Sequence, residues 1–347
     1  MNRSKSLLII LIAALVLIPS CDNVESGTFS GIYFGRPPRK LRDGQGYFEM
    51  WLGFPASSGG KEWVSILKFD RVESTNKPFL NDKAAILKRP NRNINDAVSA
   101  AISIELENDI DPSVPNRIFM SGEFTDGIAS LELSGEDALN LDLSDPAVIS
   151  GKFVLGTPSD AINNNDDSGV WFVDAPFGQQ QNPGLSLPVL PIGFKYEAWI
   201  ATQSETVCIS TGQFKRADSL DYNGKGPNGG GELTPNVPGE DLVFNQFNED
   251  VQGRTVDASL QEAYLDTFGF PIHIKKTIQK NPLTNAKDYW DVVVSVEPDP
   301  DNDPEEPFAI FPLVKFGPIF ESVNTVIPLT NFTGGVSQYI VIDLSKM

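Results

Sequence analysis

The chain repeats itself, and that repeat limits what it can fold into. "SGIYF" at Ser30–Phe34 returns as "SGVWF" at Ser168–Phe172, and "GYFEMWLG" at Gly46–Gly53 returns as "FKYEAWIA" at Phe194–Ala201. "VSILKFDRVES" at Val64–Ser74 is echoed by "ISTGQFKRADS" at Ile209–Ser219, and "ISIELENDIDPSVP" at Ile102–Pro115 by "VSVEPDPDNDPEEP" at Val294–Pro307. The four matches keep their order, and their spacings differ only by loop length. A weaker fifth match pairs Leu141–Ser144 with Ile342–Ser345. Ordered self-similarity on this scale means one structural unit used twice.

The repeated unit reads as β. "YFEMWLG", "KYEAWIA", "SAAISIEL" and "DVVVSVE" alternate large apolar with smaller or polar residues at period two, and they favour aromatic and β-branched types. Clusters of Gly, Pro, Asn and Asp such as "PASSGG", "NGKGPNGGG" and "NPLTNA" bound them. With 29 Gly and 26 Pro, the pattern predicts a mainly β protein of two tandem antiparallel β-sandwich domains, Ig-like or related. The solvated stretch Gly156–Gly169 sets the boundary between repeats at 21–155 and 156–347. One helix is expected, Asp257–Phe268, with Asp257 as its N-cap.

The first twenty-one residues are different in kind. Arg3 and Lys5 precede an unbroken apolar run of twelve, Leu7–Ile18, too short to cross a hydrocarbon core that needs about 20 residues. Small and turn-forming residues then lead to Cys21, the layout of a cleaved export signal over residues 1–20. "LIPSC" resembles a bacterial lipobox, in which the cysteine is lipidated and becomes the first mature residue. The expected location is therefore the cell envelope, with the chain held to a membrane through lipid on Cys21. Loss of residues 1–20 leaves 327 residues and moves the formal charge from −19 to −21. Such an acidic chain disfavours nucleic acid and anionic lipid headgroups as partners. With Cys21 lipidated, Cys208 has no disulfide partner, and its setting in "TVCISTGQF" suits a buried, inert thiol.

The second half carries a further likeness. The strand "YEAWI", the later "STGQF", then "PNVPGEDL" and "VSVEP" with a Pro/Asp-rich tail resemble the extracytoplasmic domain of anti-sigma-K factors, a small β-sandwich of bacterial envelope proteins. The likeness runs from Trp171 to Phe316, with a shorter version over Ile32–Phe124, and rests on Tyr196, Glu197, Trp199, Gly212, Phe214, Glu297 and Pro298. It implies the fold and an envelope location. Those factors grip sigma with a cytoplasmic helical domain ahead of a transmembrane helix, and here an export signal and Cys21 occupy that place. The regulatory activity is therefore not implied.

Residues able to do chemistry are few. His273 is the only histidine, which excludes the usual zinc sites, and no GxSxG elbow, Walker loop or dinucleotide fingerprint is present. Glu49 and Glu197 lie two residues from Trp51 and Trp199, so each Glu shares a strand face with its Trp. The acid beside a tryptophan suits a carboxylate site on a sugar platform, but the favoured reading is Trp in the core with its Glu on the opposite face, bonded to a Lys or Arg of a neighbouring strand. The shared face leaves open a buried, paired glutamate, with Lys195, Lys215 and Arg216 as candidate partners. In "VSVEPDPDNDPEEP", Asp299, Asp301 and Asp303 have the D-x-D-x-D spacing that can converge on calcium. Glu107, Asp109 and Asp111 are their counterparts 192 residues earlier. An EF-hand would need Gly where Pro304 stands and Glu where Ile310 stands, so the alternative is a rigid, solvated turn leaving a core strand. The expectation is a non-enzymatic, lipid-anchored binding or structural module with a protein or glycan partner and no cofactor other than possible calcium. The alternatives are an envelope regulator acting through a membrane partner and a carboxylate hydrolase.

Overall fold

The structure, a computed structural model, describes residues 30–347 except 36–37, 39, 42–45, 74–75, 107–110, 143–144, 146, 159–163, 203–207, 223–235, 243–271, 277–288, 302–305, 309 and 332–339. The expected helix Asp257–Phe268, the residues 1–21 and the loop 224–231 lie outside the described residues.

The protein is mainly β, and its strands pair antiparallel. The first repeat contributes β1 (Ile32–Phe34), β2 (Tyr47–Pro55), β3 (Lys61–Phe69), the short β4 (Arg71–Val72), β5 (Pro78–Leu80) and β6 (Lys83–Ala84), β7 (Ser99–Glu105), β8 (Arg117–Glu123), β9 (Ile128–Leu131) and β10 (Ser150–Leu155). The second contributes β11 (Gly169–Trp171), β12 (Leu185–Ser186), β13 (Phe194–Thr202), β14 (Cys208–Phe214) and β15 (Gly239–Asp241). It continues with β16 (Trp290–Pro298), β17 (Ile310–Lys315), β18 (Val326–Asn331) and β19 (Ile340–Asp343).

The repeat found in the sequence is a repeat of pairing. One sheet runs β3-β2-β7-β8, and the other begins β14-β13-β16-β17. Glu49 faces Lys68 and Ser103 across the ladder, while Glu197 faces Gln213 and Ser295, the same register in both halves. Even the β-bulges coincide, at Met50/Trp51 and at Ala198/Trp199. A bulge is a local irregularity with a fixed backbone cost, so its recurrence at matched positions marks a common design rather than chance.

Beyond these four strands the two halves trade chain. β8 continues into β9 through a paired Ser121 and Glu132, and β9 pairs with β19, which pairs with β1. In the second half β17 pairs with β18, β18 with β10, and β10 with β11. The last strand of each repeat therefore completes the other repeat. The match extends to single bonds: the Asp343 amide donates to Gly31 O at 2.8 Å, and the Gly156 amide to Gly169 O at 3.2 Å. β10 is thus the counterpart of β19, with Val154 opposite Trp171 as Val341 is opposite Tyr33. The weak fifth sequence match does not survive as a structural one, because Leu141 lies outside any strand while Ile342 is central to β19. The division at 155/156 falls between β10 and β11, and strand pairing crosses it in both directions.

Why the exchanged strand fits closely is visible at Gly31, whose φ is +82°. A Cβ there would meet Asp343 O at 2.5 Å, so only glycine allows both the backbone conformation and the close approach of the chain leaving β19.

The inner faces of both halves form one apolar cluster. Phe48, Met50, Leu52 and Phe54 of β2 belong to it with Tyr196, Ala198 and Ile200 of β13, Phe153 and Leu155 of β10, and Ile340 and Ile342 of β19. Phe119 and Phe308 meet edge-on across the two halves at 6.5 Å. The Arg117 guanidinium also reaches Asp299 O at 3.3 Å. A single contiguous core of this kind makes one cooperative unit out of two repeats.

Candidate functional site

Period two sends Glu49, Trp51 and Ser103 to the face opposite the shared core, with Glu197, Trp199 and Ser295 doing the same. These side chains build the same network twice. Trp51 Nε1 donates to Ser103 Oγ at 2.8 Å, and Trp199 Nε1 donates to Ser295 Oγ at 2.9 Å. Each serine hydroxyl in turn donates to the glutamate two residues on, Ser103 to Glu105 and Ser295 to Glu297. Those glutamates also accept a backbone amide from the far side of the acidic turn: Asn116 N on Glu105 at 2.9 Å and Phe308 N on Glu297 at 2.8 Å. All six residues are almost fully buried. A buried indole N–H and a buried carboxylate each need a partner, and the serine between them serves both.

The acidic turn is therefore a strand connection tied at its base by a buried glutamate. Within it, Asp299 faces lysines, Lys215 Nζ at 2.8 Å and Lys195 Nζ at 3.9 Å. Asp301 instead accepts from Gln213 Nε2 at 3.0 Å. Asp303, Glu107 and Asp109 lie outside the described residues, and Asp111 caps its own turn through Ser113. Among the described residues no group of three His, Cys, Asp or Glu side chains is placed to hold a metal ion.

The glutamates beside the tryptophans are buried too. Ser65 donates to Glu49, and Lys68 Nζ lies 3.2 Å from it. Burial nevertheless raises the Glu49 carboxyl above its ordinary range, against the pull of Ser65 and Lys68. In the second half Ser210 donates to Glu197 at 2.5 Å, and Gln213 takes the lysine's place with its Nε2 at 2.6 Å. Of the basic residues expected beside Glu197, Lys215 sits on Asp299 and Arg216 pairs with Asp218 at 2.7 Å. The neutral Gln213 stands where the first half has Lys68, while the buried Lys195 stands where the first half has Tyr47. Burial first, and then the neighbouring Asp301 and Glu197, push the Glu297 carboxyl well above the usual range.

This shift carries a pH signature. A carboxyl whose pKa is raised on folding stabilises the fold in its protonated form. The contribution is present in full below the ordinary carboxylate pKa and is lost as pH rises toward the higher folded value. Glu297→Gln, which keeps the acceptor and cannot ionise, is expected to flatten the fall in melting temperature between pH 5 and pH 8. Thermal melts of both chains across that range check it, and parallel curves would contradict it.

His273 lies in a non-strand segment, half-buried, with Nδ1 2.7 Å from Asp167 Oδ1. Cys208 is buried, packed with Trp199, Ala201, Val293 and Val314. One acidic group escaped sequence reasoning. Asp221, Glu240 and Asp241 are all buried, with Trp171 Nε1 donating to Asp241 at 2.6 Å and the Gly239 amide to Asp221 at 3.1 Å. Burial drives the Asp221 and Glu240 carboxyls well above their usual range, with charge repulsion from Asp221 and Asp241 adding to it at Glu240. In sequence these residues sit in turn-like stretches, "LDY" and "PGEDL", and nothing there signals burial.

Among the described residues no helix is long and apolar enough to cross a membrane. Comparison with known proteins matches this chain to no family model, no curated protein and no solved structure.

Proposed function

We propose that this protein is a lipid-anchored component of the cell envelope whose two interlocked β repeats form a non-catalytic binding or structural unit. The observation that carries this reading is the leader "MNRSKSLLIILIAALVLIPSC", which ends at Cys21 only ten residues before β1 begins at Ile32. A short tether of that kind would hold a rigid β body close to the bilayer, and covalent lipid supplies the attachment. The chemistry inside fits a passive role. Glu49, Glu105, Glu197 and Glu297 accept hydrogen bonds within the fold, and each is buried. Feeding cells a clickable fatty acid is expected to label the chain and to leave Cys21→Ala unlabelled. Labelling that survives the substitution would overturn the anchor.

A second reading, an envelope regulator signalling through a membrane partner, is favoured by one observation. The residues behind the likeness to anti-sigma-K factors, Tyr196, Glu197, Trp199, Gly212, Phe214, Glu297 and Pro298, lie on three adjacent strands, β13, β14 and β16. Affinity capture from membranes that returned a transmembrane regulator of sigma activity would select this reading over a purely structural one.

A further inference from the structure

One strip of the surface runs against the chain's overall charge. Residues 83–93, "KAAILKRPNRN", carry four cations and no carboxylate in a chain of formal charge −19. The strip continues from β6 and passes beside β3, the edge strand of its sheet, where the Lys88 amide donates to Ile66 O at 2.8 Å. Its side chains alternate: Ala85 and Leu87 pack on the shared core, while Lys88 is exposed and Ile86 is 77 % exposed. Arg92 holds the far end down, stacked over Phe54 at 4.1 Å and paired with Glu62 at 3.1 Å. Asp82, just before the strip, is taken by Arg71 at 2.9 Å. Lys83, Lys88 and Arg89 are all exposed, and no carboxylate among the described residues forms an ion pair with them. The strip also lies next to the point from which the chain runs toward Cys21. Arg89 Nη2 donates to Met347 O at 3.1 Å, and a Cβ on Gly31 would meet Met347 Cγ at 2.8 Å. Cys21 stands ten residues before Gly31, a span of at most about 35 Å.

We propose that this strip is the face the protein turns to the bilayer, with Lys83, Lys88 and Arg89 meeting anionic phospholipid headgroups and Ile86 entering the headgroup layer. The inference rests on the lipid-anchor reading, which brings the strip to a membrane. Net negative charge weighs against anionic lipid, but a charge farther off than a Debye length, about 8 Å at physiological salt, is largely screened. The local strip therefore decides what this face meets. Each lysine or arginine held at an anionic surface is worth roughly fivefold in affinity. Three of them with one exposed isoleucine do not replace covalent lipid; beside it, they fix which side of the β body faces the membrane.

The test takes the chain as it stands after loss of residues 1–20, with Cys21→Ser, so that neither leader nor lipid binds. It is sedimented with vesicles of phosphatidylglycerol and phosphatidylcholine, or of phosphatidylcholine alone. Binding to the anionic vesicles is expected, falling as salt rises, with little to phosphatidylcholine. Lys83→Gln with Lys88→Gln removes two cations that donate no side-chain hydrogen bond among the described residues. It is expected to weaken binding about twentyfold with the melting temperature unchanged. Ile86→Ser is expected to weaken binding severalfold at every salt concentration. No preference for anionic vesicles, or binding untouched by the two lysine substitutions, overturns the proposal. Val189 and Ile192, exposed on the loop between β12 and β13, supply the comparison. Loss of binding with Val189→Ser and Ile192→Ser alone would overturn the proposal in favour of that loop. The protein tested carries no lipid, so failed sedimentation strikes the docking face, whereas failed fatty-acid labelling at Cys21 strikes the anchor.

Discussion

Ile342→Asp is expected to destabilise the whole molecule, which still unfolds in one step. Ile342 is fully buried, pairs with Ile32 on one side and Ala129 on the other, and belongs to the core that both repeats share. A carboxylate at that position would be buried in the apolar core, and burial of a charge there costs several kcal/mol, on the order of 4 or more here. The expected result is a single urea transition with a much lower midpoint and an unchanged slope. Ile342→Val, which removes one methylene, is expected to cost only about 0.5–1.5 kcal/mol. The size of the first effect depends on where β19 lies. A strand sitting loosely on the surface at the chain's end would accept aspartate at a cost below ~0.5 kcal/mol, and that outcome would place β19 outside the core.

The second large effect is at the tryptophans. Trp51→Ala and Trp199→Ala are each expected to cost about 3–5 kcal/mol, since each removes a fully buried indole and leaves a cavity on the outer face of its sheet. Each also strips the donor from a serine whose hydroxyl is committed to a buried glutamate. The Phe variants separate the two contributions. Trp51→Phe and Trp199→Phe keep most of the packing but lose the N–H, so the remaining cost, about 1–3 kcal/mol, reports the orphaned network. Equilibrium unfolding of all four variants gives the comparison. The networks are duplicates, so the two halves should respond in parallel. A silent substitution in one half would mean that its network is not holding the turn.

Much of this was legible in the residues. The alignment of Val64–Phe69 with Ile209–Phe214 is the register itself, with Ser65 and Ser210 opposite Trp51 and Trp199. Strand periodicity also puts each Glu and its Trp on one face; both are buried there, away from the shared core, so the favoured reading of Trp in the core with Glu on the opposite face does not hold. The partners were less legible. Charge suggested Lys195, Lys215 or Arg216 for Glu197; Lys215 sits on Asp299 and Arg216 on Asp218, and the cross-strand neighbours Ser210 and Gln213 donate to Glu197, as register dictates. The acidic turn has the spacing of a candidate cation loop; Asp299 and Asp301 meet Lys215 and Gln213, and Asp303 lies outside the described residues.

The exchange of β10 and β19 could not be read from sequence at all. "SGKFVL" and "IVID" carry the same alternation but little common sequence, and either strand satisfies either slot in pattern. Which slot a strand enters is settled by chain connection and by close approaches such as Gly31 against Asp343. No local signal carries that information.

The central claim, that each repeat is completed by the last strand of the other, is tested most directly by two double-cysteine chains studied as dilute monomers. Ser130→Cys with Val341→Cys joins β9 to β19, and Ser130→Cys with Val154→Cys would join β9 to β10. Val154 is the counterpart of Val341, so the second pair would be adjacent only if the first repeat kept its own last strand. Mild oxidation is predicted to close the 130–341 disulfide within one chain and to leave the 130–154 pair as free thiols. Closure of 130–154 instead would contradict the exchange.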